Sequence, residues 1–220
     1  MLELAAESGC TMLSIGFESI SRATLKSVHK HVNRPETFAA LVEKVHSYGI
    51  MVFGLFMFGF DGDDRSVLDE TVNFNINAEY DACAYSVLTP YPGTLTWYEL
   101  KKAHRIFSFD WSMYDQGHVV YRPAQMSADE LRIGQRGAYR NFYSTSSIAR
   151  RFPLRGKRHR AQWLIYNLFM RKASETDNIH SVAAPTAEPD VAPMPPILPV
   201  KREWRAAVLE AARGSEPPLN

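Results

Sequence analysis

Three short apolar runs, each followed by polar residues and glycine, dominate the first half of the chain. They cover residues 13–17, 50–58 and 83–88. The middle run is apolar throughout except for Gly54, and continuous hydrophobicity is typical of a strand that is covered on both faces, as in a parallel sheet. Prolines at 90 and 92 end the third run, because proline cannot donate to a central ladder.

Helical patterns separate these runs. The first is predicted over residues 21–31, the second begins at Pro35 and ends at Gly49, and the third follows a turn at residues 59–64. Either Asp63 or Asp64 can cap the third helix. Crossovers of this length require parallel pairing of the strands that they join. The inner positions of the second and third helices are predicted to be Phe38, Leu41, Val42, Val45, Leu68, Val72 and Ile76.

The second half of the chain has a different character. Residues 97–123 are rich in aromatic residues and irregular, and Ser127 with Glu130 forms a capping-box pattern that opens a helix to about residue 144. Six Lys or Arg lie within residues 150–160, and a helix follows with Trp163, Leu164, Leu168 and Phe169 on one side. Six of the thirteen prolines lie within residues 185–199, which indicates an extended, disordered linker. We therefore predict a partial α/β unit at 1–105, an aromatic, then helical and basic extension at 106–172, a proline-rich linker at 173–200, and a short amphipathic helix and tail at 201–220.

Composition excludes several classes of protein. With 220 residues, 45% hydrophobic and 22% charged, the chain is neither wholly disordered nor a coiled-coil rod. Its formal charge of +1 argues against electrostatic binding of nucleic acid by the whole molecule. No apolar run is long enough to span a bilayer, and the first residues lack the pattern of a signal peptide. We expect a cytoplasmic protein.

The chain has two cysteines, Cys10 and Cys83, far apart in sequence. Their spacing excludes a disulfide framework, a structural zinc site and a complete iron–sulfur ligand set supplied by this chain. We interpret both as small buried hydrophobic residues, and we predict neither a metal site nor a catalytic residue from this chain alone.

Polar residues follow each apolar run, at 16–19, 59–64 and 89–94. The carboxyl ends of parallel strands lie at one edge of a sheet, where α/β proteins bind ligands. Each segment alone is explained by turns and helix caps, but three in series favour a ligand site at this edge.

Four groups of residues carry a resemblance to a known family. They are AESGC at 6–10 with IGFESIS at 15–21, GLFMFGFD at 54–61, DACAYS at 81–86 with LTPYPGT at 88–94, and DWSMYD at 110–115 with HVVYRP at 118–123. In this order and spacing, over about residues 1–150, the chain resembles radical S-adenosylmethionine proteins, particularly the group that carries a cobalamin-binding domain.

The resemblance implies the fourth to sixth strands of a partial six-stranded (β/α) barrel, the C-terminal half of that fold. It also implies S-adenosylmethionine and a [4Fe–4S] cluster at the carboxyl rim, where reductive cleavage makes a 5′-deoxyadenosyl radical, with cobalamin in full-length relatives. By position, Gly16, Glu18 and Ser19 would lie near the ribose and amino-acid part of the cofactor, and Met57 and Gly59 near its adenine. Lys30 either reaches the cofactor carboxylate or is a solvated helix cation.

The chain departs from the family in lacking the CxxxCxxC motif that holds the cluster. We therefore expect a fragment that contributes part of the cofactor rim and, through residues 111–121, part of the substrate wall, but that is inactive alone. Its partner would be the missing N-terminal half-barrel, from the same gene or a separate chain. The alternative is a non-catalytic remnant or scaffold, while a complete ordinary α/β domain fits three strands poorly.

The remaining expectations concern surfaces. The substrate is expected to be small, with apolar compounds among the candidates, and no nucleic-acid partner is predicted. Residues 150–169 are interpreted as a solvated charged segment, with contact to an anionic membrane surface as the alternative. The first strand, near Ile15, should lie at an apolar sheet edge that favours pairing or aggregation.

Overall fold

A computed structural model describes residues 1–153, 159–176 and 185–187. Within these residues the chain forms a sheet of three parallel strands in the order β1-β2-β3. The strands are β1 (Met12–Glu18), β2 (Met51–Phe58) and β3 (Ala82–Val87). The helices are α1 (Leu2–Glu7), α2 (Arg22–Ser27), α3 (Pro35–Ser47), α4 (Ser66–Asn77), α5 (Leu95–Lys102), α6 (Ala128–Phe142), α7 (Thr145–Arg151) and α8 (Arg160–Glu175), with a 3-10 turn at Trp111–Met113.

The three predicted strands and their parallel pairing are confirmed. Helix α3 begins with Pro35 in its first turn, as expected, and Ser127 and Glu130 form the predicted capping box at the start of α6. Of the inner positions predicted for α3, Phe38, Val42 and Val45 are buried, but Leu41 is 38% exposed and that prediction is wrong.

One face of the sheet carries the core. Along β2, alternate side chains at Val52, Phe56 and Phe58 are almost fully buried. Phe58 stacks on Tyr85 of β3 with ring centroids 5.5 Å apart, and Phe56 stacks on Phe17 of β1 at the same distance. Helices α3, α4 and α6 bury their apolar faces in the same core.

The other face of the sheet is more open. Gly16 and Leu55 are neighbours in register on this face and both are exposed, and Met57 lies farther along β2 and is half-buried. Near the amino ends of the strands Tyr166 of α8 packs edge-on against Phe53, so this helix covers only that end. The carboxyl half of the face has no comparable cover among the described residues. Because parallel sheets are normally buried on both faces, this sheet matches part of a barrel.

The outer edge of β3 is closed by side chains instead of another strand. The Tyr143 hydroxyl accepts from the Cys83 amide at 3.0 Å and donates to the Cys83 carbonyl at 2.8 Å. One turn earlier on α6, Tyr139 accepts from the amide of Tyr85 and Gln135 donates to its carbonyl. Helix α6 thus satisfies the ladder groups that a fourth strand would otherwise pair.

At the opposite edge of the sheet, β1 pairs only with β2 within the described residues. Its apolar residue Ile15 is half-buried against the core. The fold therefore agrees with the predicted three-stranded part of a (β/α) barrel, with β1 as its edge strand.

Some elements differ from expectation. Helix α2 ends at Ser27, not near residue 31, and α5 and α7 were not predicted, because helices of eight and seven residues carry too few apolar repeats. On α8, Trp163 is buried but Leu168 and Phe169 point away from the core, so these residues do not share one inner side. Most of the predicted linker at 173–200 and all of the predicted tail at 201–220 lie outside the described residues.

Candidate functional site

The carboxyl end of β1 contains an irregular turn. Between Gly16 and Glu18 the register with β2 shifts by one residue, and Glu18 has a positive φ of 67°. A non-glycine residue in this left-handed region is strained, so the surrounding contacts must hold it. The Asn33 amide does so by donating to the carbonyls of Gly16 and Phe17 at 2.9 and 3.0 Å.

The turn brings three of the predicted site residues together. The Lys30 ammonium lies 3.1 Å from the Glu18 carboxylate, with half of the lysine side chain exposed. Ser19 is buried, and its hydroxyl accepts from the amide of Ser21, the residue that caps α2. Lys30 thus lies at this edge as the half-exposed partner of Glu18. In contrast, Ser19 has a structural partner already.

Gly59 forms the turn at the carboxyl end of β2. Its φ is +99°, and a Cβ added there would lie 2.2 Å from the hydroxyl oxygen of Tyr121, so only glycine fits. The Gly59 amide donates to Asp63 at 3.1 Å, and its carbonyl accepts from Tyr121 at 2.6 Å. The amide is therefore engaged within the protein, and only the remaining lone pair of the carbonyl is available to a ligand.

Asp63 connects the turns that follow β1 and β2. Its carboxylate is buried, accepts from the amides of Gly59 and Phe60, and accepts from the Thr24 hydroxyl of α2 at 3.1 Å. Burial raises the pKa of Asp63 to about 6, against the opposing effect of these three hydrogen bonds. Asp64, in contrast, accepts from the amide of Ser66 at the start of α4. Of the two acids, Asp64 is thus the one that contacts the first turn of α4, although the capping position is Arg65, which makes no side-chain cap, so neither predicted cap forms.

The aromatic extension packs against the same turns. Tyr121 is fully buried and reaches Gly59. Tyr114 is also buried and donates to the Ser108 carbonyl, whereas Trp111 is exposed and packs edge-on against Tyr114. Within the predicted substrate wall, Tyr114 and Tyr121 are thus core residues, and Trp111 is the large side chain that faces outward.

A cavity of about 330 Å³ opens at this edge of the sheet. It lies between the end of α2, the loop after β2, and α5, and the Arg105 guanidinium spans its rim with two hydrogen bonds to Asp61, at 2.9 and 2.7 Å. Among the described residues, its lining includes Val28, Phe60 and Leu100 but none of the six predicted site residues. Its volume is at the lower end of the range for small-molecule sites.

The cysteines do not form a metal centre. Cys83 is fully buried beneath α6, where burial raises the pKa of its thiol, and Cys10 is half-buried near the start of β1. No group of three or more His, Cys, Asp or Glu side chains in the described part of the chain could hold a metal ion. The described residues therefore do not fit an iron–sulfur cluster.

Sequence reasoning missed Asn33, Thr24 and Tyr121, which hold the two turns in place. Each is distant in sequence from its partner, by 17, 39 and 62 residues for Gly16, Asp63 and Gly59. No local pattern marks such contacts, although the glycine at 59 was a usable signal for the turn.

Comparisons with known proteins identify relatives of this chain. It is 35% identical over 173 residues to bacteriochlorophyllide d C-12(1)-methyltransferase of Chlorobaculum tepidum, which covers 77% of this chain and 37% of that protein. The C-8(2)-methyltransferase of the same organism is 31% identical over 53% of this chain and 26% of its own length. Anaerobic magnesium-protoporphyrin IX monomethyl ester cyclase of Cereibacter sphaeroides is 25% identical over 75% of this chain and 26% of its own.

The chain therefore spans about a quarter to two fifths of the length of these relatives. No known family profile matches it. Among the described residues, no helix is long and apolar enough to cross a membrane. The chain is thus related to part of these methyltransferases and this cyclase, and the matches support the relationship to radical S-adenosylmethionine proteins that its motifs predicted.

Proposed function

We propose that this chain is the C-terminal half of the barrel of a cytoplasmic radical S-adenosylmethionine enzyme of the cobalamin-binding group, which transfers a methyl group to a chlorophyll-type macrocycle. Two relatives are named as methyltransferases of such a macrocycle, and a third is named as a cyclase of a related one. The choice of methyl transfer follows the two relatives with the higher identity.

The observation that carries this proposal is the sheet with one closed edge and one open edge. Helix α6 closes the β3 edge, whereas β1 has no second neighbour among the described residues and the carboxyl half of one face is exposed at Gly16 and Leu55. Further parallel strands beside β1 would cover that face by curving the sheet into a barrel. The N-terminal half-barrel is therefore the proposed partner.

The Glu18–Lys30 pair fits the amino-acid part of S-adenosylmethionine. That part carries one ammonium and one carboxylate, and the pair presents one charge of each sign 3.1 Å apart at the carboxyl edge of the sheet. Glu18 would accept from the ammonium, and Lys30 would bind the carboxylate. When bound to a reduced cluster, S-adenosylmethionine supplies one-electron radical chemistry. The residues of this chain would orient the cofactor, while Met57, on the same face as Gly16, would limit the space beside it.

The cluster itself does not fit the described residues. We propose that the missing half-barrel supplies the three thiolates, and that this chain is inactive without them. The second candidate is a non-catalytic remnant or scaffold. It is favoured by two contacts, because the Ser19 hydroxyl is already engaged by the Ser21 amide and the Gly59 amide by Asp63.

The first experiment is to sequence the DNA upstream of Met1 and translate it in all three frames. We expect a CxxxCxxC motif there or in a neighbouring gene. The chain is then produced together with that polypeptide and assayed under reducing conditions for 5′-deoxyadenosine and for a macrocycle heavier by one methylene. The chain alone should yield neither product.

The variant Glu18→Gln should weaken S-adenosylmethionine binding at least about tenfold, because a charged hydrogen bond is lost. The matched control Glu7→Gln changes an exposed glutamate of α1 and should bind normally. If no gene nearby encodes the motif, or if the combined chains form no 5′-deoxyadenosine, the enzyme proposal fails and the scaffold is favoured. If 5′-deoxyadenosine forms without a methylated product, only the assignment of methyl transfer fails.

A further inference from the structure

The charges of this chain are strongly segregated. Residues 131–174 contain eleven Lys and Arg and no Asp or Glu, a formal charge of +11 in a chain whose total is +1. The rest of the chain is therefore formally −10. This basic region comprises nearly all of α6, together with α7 and α8.

Helix α8 buries one side against the protein. Trp163 and Asn167 are almost fully buried, and the Asn167 amide donates to the Asp81 carbonyl at 3.1 Å. Arg151 of α7 donates to Asn167 and lies 3.8 Å from the ring of Phe142. These contacts fix how α8 is rotated about its axis.

The opposite side of α8 is apolar and exposed. Ile165, Leu168 and Phe169 are 68%, 48% and 66% exposed. Their spacing of three and four residues places them on one stripe along the helix. Lys172 continues the stripe at the C-terminal end, one turn after Leu168. Three large apolar side chains that lie together on a solvated face indicate a binding surface, because covering them removes apolar area from water.

We propose that the outer face of α8 binds the surface of an anionic lipid membrane. Ile165, Leu168 and Phe169 enter the boundary between headgroups and acyl chains, while exposed cations of the described part of this region, such as Arg160 and Lys172, meet the lipid phosphates. A helix with an apolar stripe inside a positively charged region has both features that promote binding to an anionic membrane, which are apolar area and attraction to lipid phosphates. The aliphatic stems of Lys and Arg can lie along the interface with their charges in the headgroups.

The basic surface continues from α8 to α6. A shallow groove of about 110 Å³ lies between them, lined by Arg136, Arg140 and Met170 among others. The groove is too small to enclose a drug-sized molecule. It instead adds the positive charge of Arg136 and Arg140 on the side of α8 that faces α6.

Charge complementarity favours a membrane over the other partners. An RNA would meet the positive charge but would leave Ile165 and Leu168 exposed, since bases stack on aromatic rings and the stripe has only Phe169. A second copy would bring one +11 region against another across a two-fold interface, which is repulsive. An anionic membrane can both neutralise the positive charge and bury the apolar stripe.

The test uses the full chain in co-sedimentation with vesicles of phosphatidylcholine, with and without phosphatidylglycerol. We expect binding only to vesicles that contain phosphatidylglycerol, and weaker binding at high salt. The double variant Ile165→Ser/Phe169→Ser should bind at least about tenfold more weakly. The matched control Ile133→Ser removes a side chain of α6 that is 55% exposed and should bind within about twofold of the parent.

Circular dichroism establishes that each variant is folded, and Lys172→Gln provides a second test that keeps the stripe intact and should weaken binding to anionic vesicles. Equal binding to both vesicle types, no binding, or unchanged binding by the double variant would overturn the proposal. Binding to single-stranded RNA that the double variant retains, without vesicle binding, would assign the basic region to nucleic acid instead. Loss of a dimer in the double variant, again without vesicle binding, would assign the stripe to self-association.

Discussion

The buried carboxyl of Asp63 allows a test of how the ionisation of one side chain affects stability. The substitution Asp63→Asn keeps the shape of the side chain. The oxygen of the introduced carboxamide can accept from the amides of Gly59 and Phe60, and its amino group can donate to the Thr24 hydroxyl, which accepts from a donor as readily as it donates. The substitution thus removes the charge and preserves the three contacts.

The sign of the effect follows from the raised pKa. The folded chain, with a pKa of about 6 for Asp63 against the ordinary 3.8, binds more protons than the unfolded chain between these pH values. The contribution of Asp63 to stability is therefore complete below pH 3.8 and is lost as the pH rises through 6. A difference of this size corresponds to about 2.5 kcal/mol between pH 4 and pH 7.

Asp63→Asn lacks this loss, so its free energy of unfolding relative to the parent should rise by about 2.5 kcal/mol between pH 4 and pH 7. Urea denaturation followed by circular dichroism at several pH values measures the difference directly. The control Asp110→Asn should give a slope of the opposite sign, confined to pH values near and below 3.8, because hydrogen bonds from Ser112 hold the pKa of that exposed carboxyl below its usual value. A flat or falling difference for Asp63→Asn would refute the assignment of a raised pKa.

Two other substitutions test the turn and the closed sheet edge, each with a matched control in urea denaturation. Gly59→Ala should lower the free energy of unfolding by about 3 kcal/mol, because the new methyl group meets a buried hydroxyl at a strained φ. In α6, a Cβ added at Gly137 would have no neighbour within 4 Å, so Gly137→Ala should raise the free energy of unfolding by about 0.5–1 kcal/mol. A loss of stability at Gly137 equal to that at Gly59 would contradict the packing argument. Tyr143→Phe should cost about 2–3 kcal/mol because it leaves the buried amide and carbonyl of Cys83 unpaired, whereas the exposed Tyr91→Phe should change stability by less than about 0.5 kcal/mol. Equal effects of the two tyrosine variants would show that the β3 edge does not depend on α6.

The strands were predictable because their signal is local. The run at 50–58 is apolar at nearly every position, and it becomes β2 with neighbours on both sides. The rotation of α8 was not predictable in the same way. Apolar residues lie on two sides of this helix. Asn167 determines which side faces inward, because this polar residue is buried where Arg151 and the Asp81 carbonyl form hydrogen bonds with it.

The candidate site was likewise predictable only where its features depend on local sequence. The Glu18 turn and the Gly59 turn were predicted, since glycine and acidic residues after an apolar run indicate the end of a strand. The contact that connects these two turns was not predicted. It depends on the hydrogen bond between Thr24 and Asp63, whereas the pattern predicted either Asp63 or Asp64 as a helix cap. Long-range contacts between polar side chains leave no periodic trace in a sequence.

The side chains of α6 on β3 also constrain how copies of this chain could associate. A sheet with two open edges can add copies head to tail without limit, because the first edge of one copy pairs with the last edge of the next. Here the hydroxyls of Tyr139 and Tyr143 occupy the last edge, which leaves β1 as the edge that another strand can join within the described residues. Two β1 edges can meet only across a two-fold axis, and that pairing consumes both. For a sheet built from the described strands, growth by self-association through β1 therefore stops at a closed pair.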